Sequence, residues 1–502
     1  MSESACLSDQ PASLQGPASF PVSPSGPLSE PAGTVVLGGG PCGLYAALTL
    51  AKAGHKVTLI EKEPVLGGLA RGHQRGANFY DLGVHMLHAF DPEVFETIKE
   101  IMGDERIEVP LNAKIKWAGS FYRYPLQFGD MVKGMNPLML AYCSIGLLVY
   151  QAWYKCRPVV PRDAEEALIQ LYGRPLYEFF FKEFTTRYWG FPPTQLSATF
   201  ITTKMPRLSA VDVLKKLLAK AGFQDNRVQA VESALSEEIL HYSRNGAEVM
   251  PRLVAAEIER LGCTVIREAA VEQLAVDAAG QRVVAVTYRE AQTGQLRQLP
   301  CDHVISTIPI RDLITAFGEA APEAARASAA MLGTKAITIY GLLVKKTRAI
   351  DALYIYYRDK AFHRVGEPKN AGLIVTPSDH TVLIVETTCE VGDATWEGAE
   401  SVRRAIFADL ESEGICRPDE IVEVHLLRTP HGYPVFSLGF EPHLDRVTDF
   451  VKSLGNVQTT GRQGGFCYPN MHKAMRMGAE AAKSVLAPAS ERAASSRPSA
   501  VE

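Results

Sequence analysis

Six consecutive residues carry the densest chemical signal in the chain, Gly38-Gly39-Gly40-Pro41-Cys42-Gly43. They stand between the apolar run Thr34-Val35-Val36-Leu37 and a stretch with helical apolar spacing, Leu44 to Ala53. A strand that turns in this way delivers the chain to a helix N-terminus, where backbone N–H groups and the helix dipole hold a phosphate. Gly38 permits the tight turn, Gly40 lets the backbone approach a pyrophosphate, and Gly43 allows close packing of helix on strand. Gly54 ends the helix, and Lys56-Val57-Thr58-Leu59-Ile60 reads as a second strand closing in Glu61. A carboxylate there, about twenty residues past the glycines, accepts hydrogen bonds from a ribose diol. The whole register predicts a dinucleotide-binding unit.

The rest of the chain must supply the body that positions this unit. Its 502 residues suffice for about two or three domains. With 46% hydrophobic and 22% charged residues it has the balance of a globular protein with a substantial core. A net charge of -4 without a basic run argues against nucleic acid as a partner. The nine cysteines include no Cys-x-x-Cys pair, and no His-Glu-x-x-His occurs among the 12 histidines, so no metal site is expected. Scattered thiols suit a reducing, cytoplasmic setting. Residues 1–33 lack Lys and Arg and read as a disordered leader, as 488–502 read as a disordered tail. Residues 135–154 carry no charge and are followed by Lys155, Arg157 and Arg162. Pro137, Asn136, Ser144 and Gln151 make this a packed or surface-lying helix rather than a span, and the candidate for peripheral membrane contact.

Just after the second strand comes Gly67-Gly68-Leu69-Ala70-Arg71. With it the chain resembles the flavoprotein superfamily of amine oxidases, protoporphyrinogen oxidases, phytoene desaturases and UDP-galactopyranose mutases. Further patches share the likeness: Tyr80-Asp81-Leu82-Gly83-Val84-His85, Phe121-Tyr122-Arg123-Tyr124-Pro125-Leu126, the aromatic segment Phe180 to Gly190, Ala270-Val271-Glu272-Gln273-Leu274, His303 to Pro309, and Gly461-Arg462 after the strand-like Asn456 to Thr460. The resemblance implies an α/β fold, with a discontinuous Rossmann-like FAD-binding domain (34–114, 239–312 and 450–487). An α+β substrate-binding lobe would occupy 115–238 and 313–449. It also implies FAD as cofactor, held by Gly38, Gly40, Pro41, Cys42, Gly43, Glu61, Lys62, Gly68, Leu69, Ala70, Arg71, Gly83, His85, Val271, Gly461, Arg462 and Met471. Cys467 follows the last glycine segment, whereas the family's tethering cysteine precedes it, so the expected FAD is non-covalent.

In the lobe, Ala336 to Val344, Leu353 to Tyr357, Leu373 to Val375 and Thr381 to Thr387 read as strands of a sheet with helices on one face. Tyr340, Tyr354, Tyr356 and Tyr357 are candidates to line its cavity. His85 and His88 are expected nearest the flavin ring, either as proton acceptors or as hydrogen-bonding groups. Arg187 and Arg244 are candidates to anchor an anionic substrate. The expected function is an FAD-dependent oxidoreductase of the oxidase, dehydrogenase or desaturase type, removing hydride from a small or lipophilic substrate. The alternative is a sugar-nucleotide mutase using reduced FAD without net redox. Gly83-Val84-His85-Met86-Leu87-His88 favours the mutase, while Arg348, Arg358 and Arg364 do not stand in a matching sequence context. A catalytically silent flavin-binding subunit is a third possibility, and the sequence sets no oligomeric state.

Overall fold

The apolar run at Thr34–Leu37 buries every side chain, which requires cover on both faces. In the computed structural model it gets that cover as the centre of a five-stranded parallel sheet. Val57–Ile60 and Thr264–Ile266 lie on one side, His303–Ser306 and Val457–Thr459 on the other. The helix Pro41–Lys52 follows the first strand and packs against the C-terminal helix Met471–Leu486 so closely that a Cβ on Gly478 would sit 2.1 Å from the Cys42 carbonyl oxygen. Residues 33–124, 126, 128–204 and 238–487 are described. The expected tail, nearly all of the leader, Pro125 and residues 205–237 of the expected lobe lie outside them.

A second, seven-stranded sheet runs in the order 421–434, 334–344, 381–389, 364–366, 354–357, 113–117, 120–123, antiparallel except between Tyr354–Tyr357 and Ala113–Trp117. The pleat sorts its side chains into two faces. Tyr340, Leu342, Val344, Ile355, Tyr357, Leu383 and Val385 pack with Ile406 and Leu410 of the helix Glu400–Ser412. Ile337, Ile339, Leu343, Val382 and Ile384 face the other way, onto Tyr80, Leu82 and Met86. Tyr340 and Tyr357 are therefore core residues of the outer face, which corrects their expected place in the cavity. Leu373 to Val375 form no strand: they follow a short turn of 3-10 helix, Pro368–Ala371, and Ile374 bonds the Arg244 carbonyl from a loop.

The aromatic segment becomes a π-helical turn, Tyr177–Phe181, leading into the helix Lys182–Trp189, which ends at a left-handed Gly190. These residues and the helices Pro137–Cys156 and Ala164–Leu176 share one core with Tyr122.

Candidate functional site

The glycine turn has the geometry its residues require. Gly38 has φ +98°, and a Cβ there would meet Thr307 Oγ1 at 2.6 Å; a Cβ on Gly43 would lie 1.9 Å from the Gly38 carbonyl oxygen. Gly40 differs. Its hypothetical Cβ meets no protein atom closer than Gly68 Cα at 3.9 Å, so protein packing does not demand a glycine at this helix N-cap. No acidic side chain occupies the first helical turn and Gly40 offers no side-chain cap, which leaves the positive helix end for an anion. The Cys42 thiol is buried beside it and pushed up to about 12, so it is chemically inert.

Several segments converge on this turn. Gly67 donates to the Gly39 carbonyl oxygen at 2.8 Å, holding the Gly68–Ala70 turn and Leu69 against the glycines. Glu61 accepts from the N–H groups of Gly39 (2.6 Å) and Glu63 (2.9 Å), and its backbone carbonyl accepts from Ala269, at the start of the strand that carries Val271. Lys62 is exposed just beyond it. Gly461 comes so close to the first helix that a Cβ would be 2.9 Å from Cys42 Sγ, and Met471 opens the C-terminal helix. Among the buried polar atoms, Arg71 Nε, His85 Nδ1 and Ser306 Oγ have no hydrogen-bond partner. Orphaned donors and acceptors cost free energy unless a ligand satisfies them. An open helix N-terminus, a carboxylate beside it and unpaired buried donors fit a dinucleotide cofactor.

A second cluster stands on the sheet face that looks toward Gly83 and His85. Tyr356, Arg364 and Glu386 are direct cross-strand neighbours on three adjacent strands. Arg364 donates to Glu386 Oε2 at 2.5 Å and to the Tyr356 hydroxyl at 3.3 Å, while its Nε stays buried and unpaired. The guanidinium lies 5.5 Å from the ring centres of both Tyr354 and Tyr356, and Tyr124 lies 5.3 Å from Tyr356. Tyr124 is 43% exposed and lies beside the Tyr354 and Tyr356 rings. A Cβ on Gly83 would be 3.4 Å from Glu386 Oε2 and 3.0 Å from the His85 ring, which joins the cluster to the segment from Tyr80 to His85. Arg462 completes the other flank, 5.6 Å from the Tyr433 ring and bonded to the Pro469 carbonyl oxygen at 3.0 Å.

The structure gives the expected catalytic residues unequal places. Burial, reinforced by the Arg462 and Arg364 cations, holds His85 down at about 3. At that value the imidazole is neutral at pH 7. His88 Nδ1 is engaged by Glu238, and the ring stacks on Phe90 at 5.3 Å. Arg187 is tied to the backbone carbonyl oxygens of Arg358 and Lys360. It fastens the Lys182–Trp189 helix to the 358–360 turn, so both terminal nitrogens of the arginine expected to anchor an anion are engaged by backbone carbonyl oxygens. Arg244 is exposed on a turn. Arg187→Met is expected to lower stability by about 3 kcal/mol, the scale of two charge-assisted bonds, with flavin content unchanged. Thermal melting together with flavin absorbance checks this.

Glu386, Tyr124 and Tyr433 were not singled out as site residues from the sequence. One signal was available: the single charged residue of the buried strand Thr381–Cys389 is a carboxylate.

Comparison with known proteins agrees with this architecture. L-amino-acid oxidase of Echis ocellatus is 24% identical over 490 residues, covering 91% of this chain and 89% of that protein. The protein called probable UDP-galactopyranose mutase in Klebsiella pneumoniae is 24% identical over 205 residues, 38% of this chain, and the match spans less than half of that protein, 46%. The crystal structure of reduced UDP-galactopyranose mutase superposes with a TM-score of 0.72 at 17% identity, covering 90% of this chain and 93% of that one. The family model described as flavin containing amine oxidoreductase matches residues 41–347, more than half of the 502. The chain belongs to the family of flavin containing amine oxidoreductases.

Proposed function

We propose that the protein is an FAD-dependent oxidoreductase acting on a small or lipophilic substrate that carries an anionic group. The observation that carries this reading is Arg364, bound to Glu386 through one terminal nitrogen but with its buried Nε unpaired, beside Tyr354 and Tyr356 on the sheet face that looks toward Gly83 and His85. FAD when bound supplies the hydride acceptor, at its N5. The residues around it bind and orient. The Gly40 turn and first helix receive the pyrophosphate, Glu61 the ribose diol, and Arg71 and Arg462 add positive charge. Arg364 holds the substrate's anion, and the tyrosines exclude water and fix its orientation. His85, neutral at pH 7, offers a hydrogen-bonding nitrogen rather than a proton sink. The FAD is non-covalent in this reading, since Cys467 follows the last glycine segment, whereas the family's tethering cysteine precedes it.

A second reading, sugar-nucleotide mutation without net redox, draws support from the same arginine in its tyrosine surround, a set that suits a diphosphate and two rings. Two measurements separate them. Denatured protein should release yellow flavin into the supernatant; colour left in the precipitate overturns non-covalent binding. In the chemically reduced holoprotein, fast reoxidation by oxygen or a quinone with a lipophilic substrate supports the oxidoreductase. Slow reoxidation together with a UDP-induced change in the flavin spectrum supports the mutase and sinks the first reading.

A further inference from the structure

The helix Pro137–Cys156 turns only one face inward. Cys143, Gly146 and Leu147 are buried, and Gly146 presses against Pro175, where a Cβ would be 2.5 Å from Cγ. Gln151 Nε2 donates to the Leu171 carbonyl oxygen at 2.8 Å on the same contact. The opposite face carries Leu138, Tyr142, Ile145, Val149 and Trp153, at spacings of three or four residues that place them in one stripe along about 22 Å of helix. Each is between 55% and 81% exposed. The patch continues into the following loop, where Val160 is 86% exposed. A contiguous apolar face of this length on a folded surface marks an interaction site.

Charge identifies the partner. From Met131 to Arg162 the chain contains Lys133, Lys155, Arg157 and Arg162 and not one Asp or Glu. Arg162 is bridged to Glu166, but among the described residues no ion pair engages Lys133, Lys155 or Arg157. The Arg157 guanidinium sits 4.6 Å from the Trp153 ring, at the end of the stripe, an aromatic–cation pairing suited to the level of lipid headgroups. A symmetric pair of chains meeting through this face would bring Lys155 and Arg157 of both copies together with no acid between Met131 and Arg162 to answer them. No described helix is long and apolar enough to cross a membrane, and the inner face of this one is already spent on protein.

We infer that the helix Pro137–Cys156 is a bilayer-docking surface. It lies in the plane of the membrane, with Leu138, Tyr142, Ile145, Val149 and Trp153 among the acyl chains and Lys133, Lys155 and Arg157 against anionic headgroups. The chain between this helix and the candidate site is short: Tyr124, in the tyrosine cluster around Arg364, stands 13 residues before Pro137.

Flotation of the holoprotein with phosphatidylcholine vesicles containing or lacking phosphatidylglycerol tests the inference. About tenfold more protein should float with the anionic vesicles at low salt, and raised salt should reduce it. Val149→Glu with Trp153→Glu, both exposed, should cut that binding by about tenfold with flavin content and melting unchanged. Lys155→Glu with Arg157→Glu should remove only the preference for anionic lipid. Absence of flotation at low salt, or a V149E/W153E protein that floats like the original, overturns it. So does a dimer in sedimentation that the same pair of substitutions dissociates.

Discussion

Gly40→Ala is expected to leave the fold and melting temperature of the flavin-free protein nearly unchanged while weakening FAD binding about a hundredfold, equivalent to about 2.7 kcal/mol. The reasoning is steric. The added methyl would have 3.9 Å of clearance from the nearest protein atom, so nothing in the protein forbids it. It would instead occupy the space in front of the helix N-terminus that a pyrophosphate must enter to reach the backbone N–H groups. Gly43→Ala is the matched control with the opposite outcome. Its methyl would be 1.9 Å from the Gly38 carbonyl oxygen, and the first strand and helix would have to part. A loss of about 3 kcal/mol or more in the flavin-free protein is expected, as for other overpacked core positions. Flavin titration and thermal melting of the two variants separate cofactor space from protein space. If Gly40→Ala binds FAD like the original chain, the turn does not receive the pyrophosphate.

That contrast also marks how far the sequence is readable. The strand–turn–helix–strand unit from Thr34 to Glu61 is written in contiguous residues, because each element's burial and each glycine's duty depend on near neighbours. The same holds for the short parallel strands at Thr264–Ile266, His303–Ser306 and Val457–Thr459, whose apolar or β-branched content suits a covered sheet. The second cluster is not legible in this way. Arg364 meets Glu386 across 22 residues of sequence and stands beside Tyr356 only because three strands take one register. Tyr354 and Tyr356 could be separated from Tyr357 by the period of two, but nothing local says which face looks toward His85. The bonding of Arg187 was hidden for a related reason: its partners are backbone carbonyl oxygens more than 170 residues away, and carbonyls leave no trace in residue types.

The Arg364–Glu386 pair gives the other large effect, since both side chains are nearly enclosed, at 13% and 5% exposure. Arg364→Met leaves the Glu386 carboxylate buried without its partner, and breaking such a pair costs about 3–5 kcal/mol of stability. Changing both, Arg364→Met with Glu386→Met, removes the stranded charge and should recover most of that loss, because a buried pair repays little more than its own desolvation. Substrate handling should not recover with it. In the original holoprotein, a small anion such as benzoate or pyrophosphate should perturb the flavin spectrum. Both variants should need about tenfold more, the scale of one lost charge-assisted hydrogen bond. His85 provides an internal check on locality. Burial is the first cause of its depressed basicity and Arg462 the second, and both persist when Arg364 and Glu386 are changed together. A change in anion affinity therefore reports on Arg364 itself. If the double variant is stable and binds the anions as the original does, Arg364 is a structural cation and the substrate's charge is held elsewhere.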